Sequence, residues 1–97
     1  MTERAMERKP VNATCKYRFG GGMALPVTLA DLTTNGCRLL AVPRLMRREE
    51  VVTLRIGNVG PIEATVRWVH QGNAAGLEFT KPLHPAVYSD MMERLGT

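Results

Sequence analysis

The sequence predicts a mainly β, antiparallel domain: six strands closed into a barrel, preceded by a flexible N-terminal arm and followed by one C-terminal helix. Three observations carry this. Between Val11 and Phe79, short runs alternate apolar and polar residues with period two and are separated by Gly, Asn, Asp and Pro. Beyond Pro82 the period lengthens to that of a helix. At 97 residues the chain makes one domain, large enough to bury roughly 60–70% of its unfolded surface. Closing so small a sheet also removes its exposed edges.

Residues 1–10 have no apolar periodicity and end at Pro10, which reads as an arm with little order of its own. The barrel with its helix is assigned to residues 11–97. The first strand alternates Val11, Ala13, Cys15 and Tyr17 with Asn12, Thr14, Lys16 and Arg18, and breaks at Gly20-Gly21-Gly22. No Lys-Ser/Thr pair follows these glycines, so they read as a hairpin connection rather than a phosphate loop. A second strand covers Pro26 to Leu32, with Val27 and Leu29 on one face. Asp31 to Gly36 is rich in residues that bond their own backbone and forms a turn.

A third strand, Cys37 to Val42, ends at Pro43 and leads into a charged stretch, residues 44–50, where Arg44, Arg47 and Arg48 are balanced by Glu49 and Glu50. Val52, Leu54 and Ile56 mark the fourth strand, and Gly57 to Gly60 a hairpin turn. The fifth and longest strand alternates Ile62, Ala64, Val66 and Trp68 with Glu63, Thr65, Arg67 and Val69. This puts Trp68 in the core by default, with stacking on a base as the alternative. Arg38, Arg55 and Arg67 fall on the solvent side. Gly72-Asn73 turns the chain into Ala75, Leu77 and Phe79. From about 84 to 95, Val87, Met91 and Leu95, with Tyr88 and Met92 beside them, form the apolar stripe of a short helix.

Composition narrows the function. Apolar residues make up 44% and charged residues 23% of the chain, ordinary values for a soluble globular protein. No apolar run approaches the ~20 residues of a membrane span, and the N-terminus is charged rather than signal-like. Cys15 and Cys37 lie among strand residues and read as buried free thiols of a reducing compartment in preference to a disulfide. A soluble, cytoplasmic protein without membrane insertion is expected. The net charge of +4 is concentrated near the start: residues 1–18 hold five basic and two acidic groups, the rest eight and seven. A local anionic partner fits this better than a nucleic-acid track, which needs a basic stripe across the fold. Aromatic residues, at 5%, leave few platforms for stacking single strands.

No metal-ligand spacing is present: His70 and His84 stand fourteen residues apart in different elements, and there is no Cys-x-x-Cys. Asp31, Glu63 and Glu78 form no acid–base pair legible in the sequence. The chain is therefore expected not to be an enzyme and to carry neither metal nor cofactor. Binding has stronger signals. Arg4 and Arg8 bracket the arm as Arg-x-x-x-Arg, and a guanidinium matches both phosphate oxygens and the O6 and N7 acceptors of guanine. Asp31 offers a carboxylate for guanine N–H groups, Thr33 a hydroxyl, and Gly36 room for a tight turn or the close approach of a ligand. Taken alone, the arm reads equally as a solvated tail, and the Asp-x-Thr-x-x-Gly segment as a turn between strands.

In combination, the Arg4–Arg8 arm, a strand, and the turn Asp31-Leu32-Thr33-Thr34-Asn35-Gly36 continued by Cys37-Arg38-Leu39 resemble the PilZ family of bacterial β-barrel receptors for cyclic di-GMP. Val66-Arg67-Trp68-Val69 and Gly76-Leu77-Glu78-Phe79 look like that family's paired late strands, so the likeness runs from Arg4 to Leu95. The resemblance implies that Arg4 and Arg8 grip one or two cyclic di-GMP molecules from the arm while Asp31, Thr33 and Gly36 hold them from the barrel. The family's usual serine is a threonine here, which keeps the hydroxyl and stiffens χ1. The implied function is a non-catalytic receptor that signals in trans to a protein partner. The alternative is an adaptor of the same fold that no longer binds nucleotide.

Overall fold

The computed structural model describes residues 9–40, 42, 46–70 and 74–95, with side chains from residue 13 onward. Arg4, Arg8 and the expected turn at Gly72-Asn73 lie outside the described residues. Six strands, β1 (Lys9–Arg18), β2 (Leu25–Leu32), β3 (Gly36–Leu40), β4 (Val51–Ile56), β5 (Val59–His70) and β6 (Ala74–Phe79), are followed by one helix, α1 (Pro85–Leu95). All neighbouring strands are antiparallel and close into a barrel in the order β1-β2-β3-β6-β5-β4. No described helix is long and apolar enough to cross a membrane.

The alternation read from the sequence places the core. Cys15, Tyr17, Val27, Leu29, Val52, Leu54, Ile56, Ala64, Val66, Ala75, Leu77 and Phe79 all point inward and are buried. Cys15 and Cys37 are both buried and unbridged. Two core residues lie on the connection from β3 to β4 and are buried in the same cluster: Met46, from the stretch read only as charged, and Val42, expected to end the third strand, which stops at Leu40. An isolated apolar residue in a loop carries no period, so nothing marked Met46.

Three differences from the alternating pattern matter. β1 starts at Lys9, two residues earlier than expected, because the Lys9 backbone pairs with Leu32 and Pro10 with Asp31. Pro10 is accommodated beside a register shift between Pro10 and Ala13, the kind of place where a strand tolerates proline. In β2 the register slips between Leu29 and Asp31, one extra residue on β2, so that Asp31 comes to stand opposite Arg38. In β5 it slips between Val66 and Trp68, which puts Trp68 opposite Gly76. Each bulge reverses the parity of the residues beyond it on the strand.

The helix differs in detail. Met91 is buried, and Tyr88, Met92 and Leu95 pack on the core, whereas Val87 is 37% exposed. The inward stripe thus begins at Tyr88, not Val87. Its hydroxyl donates to the Leu32 carbonyl at 3.3 Å, which fastens α1 over the barrel end where β2 finishes.

Candidate functional site

The turn between β2 and β3 is built by Thr33. Its backbone N–H donates to the Gly36 carbonyl at 2.8 Å. Its Oγ1 accepts the N–H groups of Asn35 and Gly36, both at 3.1 Å, and donates to the Gly36 carbonyl at 3.3 Å. A hydroxyl has two lone pairs and one proton, so Thr33 is engaged fully within its own loop, and the proton makes its longest bond. The loop is tied onward to the end of the barrel: Phe79 N–H donates to the Asn35 carbonyl and Leu83 N–H to that of Thr34, each at 2.8 Å.

Gly36 lies in β3 itself, with the backbone of β6 close against it. A Cβ there would collide with the Leu77 carbonyl. Its smallness therefore serves the β3–β6 seam.

Asp31 is buried, and its Oδ2 pairs with Arg38 Nε at 3.0 Å. Arg38, read from the sequence as solvated, is 45% exposed at the side chain and holds the carboxylate in place. The β2 bulge causes this meeting: strict alternation from Val27 and Leu29 would send Asp31 into the core. Arg67, likewise expected to be solvated, donates to Glu78 Oε1 at 2.7 Å through Nε and to Glu49 Oε1 at 3.1 Å through Nη1. The hydrogen bond and charge of Glu78, with Glu49 adding to them, hold the guanidinium above its ordinary pKa.

A groove of about 410 Å³ lies on the outer face of the β3, β6 and β5 strands, lined among others by Thr33, Asn35, Gly36, Arg67, Trp68 and Glu78. That volume is at the lower end of the roughly 300–1,000 Å³ typical of ligand sites. Trp68 is the main correction to the sequence reading. The β5 bulge turns it out of the core and Val69 in. The indole then lies over Gly76, where a Cβ would run into the ring, and its centroid is 4.7 Å from that of His70. The two charged residues lining the groove, Arg67 and Glu78, are bound to each other, so the lining itself is close to neutral.

Of the residues proposed from the sequence, Thr33 and Gly36 line the groove and Asp31 stands on β2 opposite Arg38 of β3, while Arg4 and Arg8 lie outside the described residues. Arg38, Trp68 and Gly76 were missed as parts of this site. Only the glycine opposite a large aromatic residue hinted at the arrangement, and it becomes meaningful once the bulge sets the register.

Fold and groove define a small closed β-barrel with a ligand-sized depression on its outer wall. The chain belongs to the PilZ domain family, whose profile matches residues 2–95. No curated protein matches it significantly in sequence. Among solved structures, the Bacillus subtilis inhibitor of motility (MotI/DgrA) aligns with a TM-score of 0.65 at 10% identity, over 97% of this chain and 50% of that one. At this identity the likeness is one of fold, and the chain spans about half the length of that protein.

Proposed function

We propose that the chain is a non-catalytic receptor for cyclic di-GMP that acts on a protein partner. Arg4 and Arg8 would bind from the arm, and Asp31, Thr33 and Gly36 from the barrel. The observation that carries this reading is the β1–β2 register: Lys9 pairs with Leu32, so the chain leaves the barrel toward Arg8 directly beside the Asp31–Gly36 turn. Arg8 follows within one Cα–Cα step of about 3.8 Å, and Arg4 within about 14 Å of chain beyond it. The lining of the groove is nearly neutral, and a phosphodiester pair needs cations. The arm has them.

In this reading the Asp31 carboxylate, aimed outward by Arg38, receives guanine N–H groups. Thr33 contributes chiefly the shape of the turn, since its lone pairs are already filled. Gly36 contributes the closeness of β3 to β6, and Trp68 a π surface for a purine. Membership of the PilZ family supports the ligand class.

The test is calorimetric titration with cyclic di-GMP, wild type beside Arg8→Ala. Each charge-assisted hydrogen bond is worth roughly 1.5–3 kcal/mol, so the variant should bind about ten- to a hundredfold more weakly. Trp68 is the sole tryptophan and gives a second signal in its fluorescence. Absence of heat and of any fluorescence change at high micromolar nucleotide would overturn the proposal.

A further inference from the structure

In the closed order β1-β2-β3-β6-β5-β4, the β1–β4 seam lies diametrically across the barrel from the β3–β6 seam of the groove. Its outer face is basic. Lys16 on β1 stands directly opposite Arg55 on β4, and Arg18 opposite Thr53. All three cations are exposed. The other arginines of strands and helix, Arg38, Arg67 and Arg94, each bind a carboxylate; Lys16, Arg18 and Arg55 have no such partner among the described residues. No acidic residue occurs in residues 11–18 or 51–57. Glu63, across β4 from this face and opposite Thr53, accepts a hydrogen bond from Thr80 at 3.0 Å. Like charges directly opposite in an antiparallel pair destabilise a sheet, so the fold alone gives no reason for the Lys16–Arg55 pair.

We infer that this face is a docking surface for an extended acidic segment of a protein partner, with Lys16, Arg18 and Arg55 receiving its carboxylates. The inference rests on the reading that the receptor acts on a protein, and it names the surface and chemistry involved. Lys16 and Arg18 are two residues apart on one strand, about 7 Å, and opposite residues of paired strands are about 5 Å apart at Cβ. Those spacings suit carboxylates at alternate positions of an extended chain. The seam has a depression of about 510 Å³ bordered by Gly20, Ala24 and Pro61 beside the three cations. Met23, 80% exposed, stands next to Ala24 in the same hairpin. Arginine and methionine are both enriched in protein interfaces. The aromatic residues beside this face offer a nucleic-acid strand little to stack on: Tyr17 is fully buried, and Phe19 is half-buried against the core.

The experiment titrates the isotope-labelled chain with the peptide acetyl-Thr-Glu-Thr-Glu-Thr-Glu-Thr-amide, with octathymidylate and phosphatidylglycerol vesicles as parallel arms. Amide shifts clustered at residues 16–18, 20–24 and 53–55, and a tenfold or greater loss of peptide affinity in the Arg18→Glu/Arg55→Glu variant, are expected. The milder Lys16→Gln/Arg55→Gln variant, which removes a like-charge pair from an exposed site, should lose at least threefold and covers the case in which charge reversal impairs folding. Equal affinity of the peptide for wild type and both variants would overturn the inference, as would shifts centred on Thr33 and Trp68. Tighter binding of oligonucleotide or vesicles through the same residues would also overturn it. Cyclic di-GMP titrations of the same variants are expected to match wild type and report on the nucleotide reading alone.

Discussion

Thr33 shows how one side chain can shape a turn: all its hydrogen-bonding capacity is spent within its own loop. Its hydroxyl accepts the N–H groups of Asn35 and Gly36 and so sets the shape of the turn. Thr33→Val keeps the shape and removes both acceptor positions. It should cost about 1–3 kcal/mol in chemical denaturation, and Thr33→Ser should recover most of that. Gly36 is constrained differently. Gly36→Ala drives a methyl into the Leu77 carbonyl, so β3 and β6 must separate, at a cost of roughly 1–3 kcal/mol by the usual scale of overpacking. Both variants should weaken nucleotide binding through geometry, so a stability curve beside each titration separates the two effects.

At the level of elements, two bulges assemble the groove. The extra residue in β2 carries Asp31 to Arg38, and the extra residue in β5 carries Trp68 to Gly76. Gly76→Ala displaces the indole, which should be read as a changed Trp68 emission spectrum before any ligand is added. The helix makes a contrasting pair of predictions. Met91→Ala empties a buried site and should cost about 2–5 kcal/mol in thermal or denaturant unfolding. Val87→Ala, at a position 37% exposed, should change stability by no more than about 0.5 kcal/mol. Had the helix been rotated to bury Val87, the two results would be alike.

For the molecule as a whole, barrel closure separates two outer faces. One holds the groove and its ion-paired charges; the other holds three cations that have no carboxylate partner among the described residues. A binding event on the first can leave the second open to a partner. Closure also seals the interior, and Cys15 reports on it: burial raises its thiol from 9.0 to about 11. The folded state therefore keeps the proton that the unfolded state releases. The stabilisation is complete below about pH 9 and is lost as pH rises through about 11. Denaturation midpoints should fall across that window less steeply in Cys15→Ala than in wild type, although the variant starts lower. Alkylation of Cys15 by iodoacetamide at pH 8 should be far slower in the native protein than in denaturant.

Local sequence was enough for the architecture. Period-two alternation names the inward residues of most of the six strands, the change of period locates α1, and the Arg4–Arg8 arm with the Asp31–Gly36 turn carries the likeness to the PilZ family. These are local properties: a strand in a closed barrel has one dry face, so its composition alternates wherever its register is regular. Tertiary contacts take over where regularity ends. The ion pair of Asp31 with Arg38, the exit of Trp68 onto Gly76, the burial of Val42 and Met46 and the turning of Val87 to solvent each depend on residues distant in sequence. A bulge is fixed by the partner strand and a helix rotation by the surface beneath it. The opposed placement of the groove and the basic seam is likewise a property of the closed ring, since no single strand contains both.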